Sequence, residues 1–292
     1  MKIGVSMFLT EKTGNPGAIA REAENLGFES FWVAEHLVMP VTYSTWYPRG
    51  KDGKVPEFYA TLIDPFVALA TAAAATKTIK LGTGICLLPE RNVIETAKAV
   101  ASLDLLSGGR FIFGVGAGWF PEEAAIMGVD FKRRWLHLRE AVEALRELWT
   151  KDEASYDGEI IKFPPVKLYP KPVQKPGPPI ILGAHDPKHA MRRVARYADG
   201  WCPGGLSPEK ARECIPQIRA MARDFGRDPD QLEFSVLQMA ADTAAGPTAD
   251  ALAQYRDAGV TRVVVLPGAS ADSDGVKLVR ELAPLVERAA KL

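Results

Sequence analysis

The sequence predicts a (β/α)8 barrel. Short β-branched or aromatic runs alternate with helix-patterned segments along all 292 residues, eight of each, and most of the strand runs are apolar at consecutive positions. Continuous apolar runs suit parallel strands covered on both faces, and eight strand–helix units in a chain of this length close into one barrel. An open doubly wound sheet uses the same units and is the competing architecture.

The strand runs are 3–8, 30–33, 79–85, 111–115, 179–182, 200–202, 232–239 and 262–266. Apolar residues at i, i+3 and i+4 mark helices over 16–26, 64–75, 93–106, 131–149, 188–197, 207–225, 248–258 and 276–291. Asn15 before Pro16, Asn92, Ser207 before Pro208 and Thr248 after Pro247 serve as helix starts, and Gly27, Gly108, Gly109, Gly226 and Gly259 as stops. Two stretches exceed the minimal unit. Residues 39–62, after the second strand, carry Tyr43, Trp46, Tyr47, Phe58 and Tyr59, and residues 152–178, after the fourth helix, contain six prolines. Residues 1–292 read as one barrel domain with these two excursions.

Thirty-six basic side chains balance thirty-six acidic ones, so no overall field attracts nucleic acid or anionic lipid. Three cysteines without a C-x-x-C pair exclude a disulfide framework and a structural zinc site, and fit a reducing compartment. The longest apolar run, 66–75, is about half a membrane span. These features predict a soluble, cytoplasmic protein whose partner is a small molecule.

In a parallel barrel the ligand sits at the carboxyl ends of the strands. His36 follows the second strand there, where an imidazole can hold a ligand or move a proton; the plainer reading is a histidine bonded to a neighbouring loop. Glu35 beside it reads as an orienting carboxylate. Gly84, Ile85 and Cys86 follow the third strand, whose two glycines, Gly82 and Gly84, mark a bulge or a close backbone approach. Arg91 reads either as a contact for an anionic group or as a solvated cation. Gly114-x-Gly116-x-Gly118 lacks the G-x-G-x-x-G spacing of a dinucleotide fingerprint, because Trp119 stands at the third glycine's place; small residues there admit a flat ligand instead. Gly183 and Ala184 read as opening a helix whose free N–H groups suit phosphate. His185 and His189 sit at i, i+4, but no third metal ligand is evident, so no metal is expected.

With these residues in view, the chain resembles the luciferase-like monooxygenase superfamily, in particular its branch of oxidoreductases that use the deazaflavin coenzyme F420. The resemblance rests on 79–92 (IKLGTGICLLPERN), 101–110 (ASLDLLSGGR) and 113–119 (FGVGAGW), then 168–174 (LYPKPVQ), 180–184 (IILGA) and 197–201 (YADGW). It implies a cofactor ring over the strand ends, backed by a non-proline cis peptide at Gly84–Ile85, with His36 as ring-binding and proton-handling residue. Glu35, Gly84, Ile85, Cys86, Gly116, Gly118, Gly183, Ala184 and Trp201 fall to the cofactor, and Trp46, Tyr47 and Trp119 to the substrate. Relatives with a carboxylate directly after the glycine-rich turn are not matched, since Trp119 is there, and no basic residue follows the sixth strand. The implied activity is hydride transfer between F420 and a small organic substrate, in a homodimer. An FMN-dependent monooxygenase is the alternative, and a non-catalytic cofactor-binding barrel the second.

Overall fold

The computed structural model describes residues 1–47, 50–240, 246–268 and 271–292; residues 48 and 49 of the first excursion lie outside the described residues. The strands are β1 (Lys2–Met7), β2 (Ser30–Val33), β3 (Lys80–Thr83), β4 (Cys86–Leu87), β5 (Phe111–Gly116), β6 (Ala154–Asp157), β7 (Lys162–Val166), β8 (Ile180–Leu182), β9 (Gly200–Trp201), β10 (Glu233–Ala240) and β11 (Arg262–Pro267). The helices are α1 (Pro16–Asn25), α2 (Pro65–Ala75), α3 (Val93–Leu106), α4 (Pro121–Ile126), α5 (Arg134–Thr150), α6 (Pro187–Tyr197), α7 (Pro208–Asp224), α8 (Ala249–Asp257) and α9 (Gly275–Ala290).

Eight parallel strands close the barrel in the order β3-β2-β1-β11-β10-β9-β8-β5, and the β3–β5 pairing completes the ring. This is the expected (β/α)8 fold, and the open sheet is excluded by that last seam. Val5, Phe31, Leu81, Phe111, Phe113, Val263 and Val265 pack outward from the strands against the helices, all fully buried. Trp32, Ile112, Ile181 and Val264 fill the barrel interior. Trp32 explains a glycine that the sequence left open: a Cβ on Gly82 would lie 2.4 Å from the indole. Gly82 is therefore a close approach between neighbouring strands.

The two excursions pack differently. Residues 152–178 contribute the antiparallel hairpin β6–β7. In the first, Val55 and Tyr59 pack with Phe120, flanked by Phe8, Tyr43, Tyr47, Phe58 and Trp119, a small apolar cluster apart from the main core. Two boundaries depart from the sequence reading by more than one residue. The fourth predicted helix begins at Arg134, because the Asp130 side chain caps a separate 3-10 turn, Phe131–Arg133. The third strand ends at Thr83, and the following Gly84–Ile85 peptide is cis, as the resemblance implied. Among the described residues no helix is long and apolar enough to cross a membrane.

Candidate active site

A cavity of about 380 Å³ opens at the carboxyl ends of the strands, within the size range of small-molecule sites. Phe8, His36, Tyr59, Trp119 and Trp135 supply rings to its wall; Gly84, Ile85, Gly118, Gly183 and Ala184 supply mainly backbone. Of the residues predicted for the site, Glu35, His36, Gly84, Ile85, Gly118, Trp119, Gly183 and Ala184 line it, whereas Phe8, Tyr59 and Trp135 were not predicted. Cys86 is fully buried beside the cavity instead, and Trp201 lies behind it, donating its indole N–H to Ala184 O at 3.0 Å. Gly116 stands behind Ile85, where a Cβ would come within 2.0 Å of Ile85 Cδ1. Trp46 is turned to solvent at 68% exposure, and Tyr47 is one ring removed, bonding Tyr59 through the two hydroxyls at 2.9 Å. Tyr59 is the excursion residue that reaches the wall.

His36 is held on both ring nitrogens. Nδ1 lies 2.5 Å from Glu123 Oε2, while Glu123 Oε1 accepts the backbone N–H groups of Leu37 and Val38 at 2.9 and 3.3 Å. A carboxylate already taking two backbone donors accepts a third from Nδ1–H, which leaves Nε2 unprotonated. Nε2 in turn accepts the Trp119 indole N–H at 3.3 Å. Both partners of the His36–Glu123 hydrogen bond are buried, with side-chain exposures of 6% for His36 and none for Glu123. Glu123 escaped the sequence reading because it rides on α4, a six-residue helix too short for periodicity to reveal. Pro121 followed by two acids, a helix-start pattern, was the available signal.

The remaining charges sort into supports. Glu35 turns inward, accepting Leu87 N–H at 2.6 Å and the Arg91 guanidinium, and Arg91 also pairs with Asp64 at 2.6 Å. Arg91 is thus neither solvated nor free for an anion. Burial, with the nearby charges of Glu123 and Glu35, pushes the Glu90 carboxyl up to about 8. Neither Glu90 oxygen has a hydrogen-bond partner, and a Cβ on Gly118 would lie 2.6 Å from Oε1. Gly118 also has φ +79°, so both space and backbone conformation call for glycine there. Burial likewise raises the Cys202 thiol to about 12, which makes it a neutral part of the wall.

The anion side of the site is revised. α6 starts at Pro187, beyond Gly183 and Ala184, and its cap is taken by Asp186, whose carboxylate accepts Lys188 N–H and faces His189 Nδ1 at 2.5 Å. The Gly183 N–H is bonded to Val115 O at 2.8 Å, so of the predicted phosphate pair only Ala184 keeps a backbone donor. His185 lies apart from His189, with Nδ1 3.2 Å from Gly204 O. A cation the sequence did not indicate lines the cavity: Arg134, fixed by Nε donating to Gly118 O at 3.2 Å and by its stack over Phe131.

The family model for luciferase-like monooxygenases matches residues 8–283. The chain belongs to that family. A relative, an uncharacterised protein of Mycobacterium tuberculosis, is 38% identical over 289 residues, covering 97% of this chain and 98% of its own. Among solved structures the fold is similar to the monooxygenase RslO1 of Streptomyces bottropensis, with TM-score 0.75, 22% identity and coverage of 100% and 99%. It is also similar to an F420-dependent secondary alcohol dehydrogenase in complex with an F420-acetone adduct, with TM-score 0.74, 21% identity and coverage of 98% and 99%. The luciferase-like family accommodates both deazaflavin-dependent oxidoreductases and flavin monooxygenases, and the chain is an oxidoreductase or monooxygenase of that kind.

Proposed function

We propose that the chain is an F420-dependent oxidoreductase that transfers a hydride between the deazaflavin and a small organic substrate, working as a cytoplasmic homodimer. The observation that carries the reading is His36, clamped by Glu123 and Trp119 at the edge of a glycine-walled cavity. A flat ring is supported by a cavity of about 380 Å³ whose wall at Gly84, Ile85 and Gly183 is mainly backbone, with Ile85 held in place because Gly183 lacks a Cβ that would press to 2.7 Å on its Cγ2. When bound, F420 supplies hydride chemistry at its ring.

The chain supplies the rest. Gly84 and Ile85 back the ring, Ala184 N–H and Arg134 face its anionic side, and Phe8, Tyr59 and Leu237 exclude water. The one lone pair of His36 Nε2 holds the Trp119 indole N–H, and Nε2 receives the proton that accompanies hydride transfer, or returns it in the reverse direction, once that N–H is displaced on cofactor binding. The imidazolium so formed has Glu123 at Nδ1, a buried counter-charge already in position. Until that displacement Trp119, bonded to the same nitrogen, fixes the ring plane.

His36→Ala is expected to slow cofactor reduction about 100-fold while changing F420 affinity less than about threefold. Stopped-flow kinetics and fluorescence titration separate the two, and equal turnover in the variant overturns the role. Binding of FMN with none of F420 replaces the deazaflavin assignment by a flavin monooxygenase. Tight F420 binding without reduction of any member of a broad electrophile panel identifies a cofactor-binding barrel without turnover.

A further inference from the structure

Helix α6 bears Lys188, Arg192, Arg193 and Arg196 and no acidic residue, in a chain whose charges balance overall. Across from it α5 contributes Arg134 and Arg139. Between the two helices lies a groove of about 250 Å³ lined by Trp135, Arg139, Arg192, Arg193, Arg196 and Tyr197. Arg193 stacks on the Trp135 ring at 4.0 Å. Trp135 also lines the active-site cavity, so the groove and the cavity share a wall.

Most of these guanidiniums lack counter-charges. Among the described residues none of Arg134, Arg192, Arg193 and Arg196 has a carboxylate at ion-pair distance, and Arg139 Nε has Glu143 Oε1 at a long 3.8 Å but no hydrogen-bond partner. The acids nearby are engaged elsewhere. Glu140 accepts the N–H groups of residues 159–161, Glu143 holds the Tyr156 hydroxyl at 2.5 Å, and Asp199 pairs with Arg146 and Arg227. Burial and the adjacent Arg193 hold Arg134 below the usual guanidinium range, the expected result of pressing cations together without an anion. Arginine forks match carboxylates and phosphates, and a groove this narrow admits a single chain rather than a nucleic-acid duplex.

We infer that the arginine groove between α5 and α6 binds a multiply anionic chain, the extension of the cofactor whose ring occupies the adjoining cavity. The inference rests on the cofactor reading above, and it deepens that reading: a chain with several carboxylates uses the whole groove, whereas the single phosphate of FMN stays with Arg134 in the cavity. Trp135 is the step over which the chain leaves the cavity, and the exposed Arg192 and Arg196 are its outer contacts.

The test compares F420 carrying its glutamyl tail with the same deazaflavin ring lacking phosphate and tail, by fluorescence titration of the full chain. For the Arg192→Gln, Arg196→Gln double variant, affinity for the tailed cofactor is expected to fall about tenfold, while affinity for the bare ring is unchanged. Raising salt from about 0.05 M to about 0.5 M shrinks the difference, because exposed charges are screened. Equal changes for both ligands, or no change for either, overturn the groove assignment. Should the wild type bind FMN and neither deazaflavin, the cofactor reading fails on its own. The groove is then tested with a free tetra-γ-glutamate peptide followed by NMR: binding lost in the double variant supports it, and absence of binding overturns it.

Discussion

Glu123 is the residue on which the imidazole depends, through three hydrogen bonds that tie Nδ1 and the backbone of Leu37 and Val38 to one carboxylate. Glu123→Gln removes the counter-charge and presents an amide N–H₂ or a neutral oxygen to Nδ1–H. The reduction rate is expected to drop roughly 10- to 100-fold with cofactor affinity little altered, read by single-turnover kinetics. Glu90, close behind, gives a different signature. Its carboxyl is raised from 4.5 to about 8, so between those values the folded chain holds a proton that the unfolded chain has released. Stability is therefore greatest below pH about 4.5 on this account, declines as pH rises toward about 8 and levels off above it. Glu90→Gln removes that decline, and in urea titrations its unfolding free energy is expected to exceed the wild type's at pH 8.5 by an amount on the order of 2 kcal/mol, converging near pH 5. His36 was legible in the sequence because it directly follows an apolar strand, where position alone assigns it to the mouth. Glu123 and Arg134 were not, since each comes back to the mouth from a helix that starts in a loop, and nothing in linear spacing reports that return.

Elements whose ends are fixed by local chemistry matched their sequence signals. Asn15, Asn92 and Ser207 accept N–H groups of the first helical turn, as the cap pattern requires. The helix predicted from 131 started late because a second cap, Asp130, lies just upstream of it. α4 was missed altogether, although it fastens the first excursion to the barrel: Glu122 accepts from the backbone and hydroxyls of Ser44 and Thr45. Against the burial that raises it, those bonds hold the Glu122 carboxyl at about 2. A further joint runs through Arg110, which donates to Ser107 O, Thr76 Oγ1, Ile79 O, Ala73 O and Thr76 O and so ties the ends of α2 and α3 to the approach to β3. Arg110→Met leaves those buried carbonyls without donors and is expected to cost about 3 kcal/mol of unfolding free energy in urea titrations, with turnover of the remaining folded enzyme intact.

For the molecule as a whole, the count of eight units carried the fold, because closure depends on the number of strands and not on the identity of any one of them. The seam between β3 and β5 could be anticipated from that count; the course of the two excursions could not, since their aromatic and proline content specifies stiffness and apolarity without direction. Hence Tyr59 rather than Trp46 reaches the cavity. The consecutive carboxylates of α4 have one more consequence. Glu122 grips the canopy of residues 44–45, and Glu123 grips the imidazole. Two tasks thus hang on one small lever, so a tug on the canopy, from a ligand passing beneath it or from loss of the Ser44 and Thr45 anchor, is transmitted to the proton carrier, and admission of a guest and readiness to react rise and fall together.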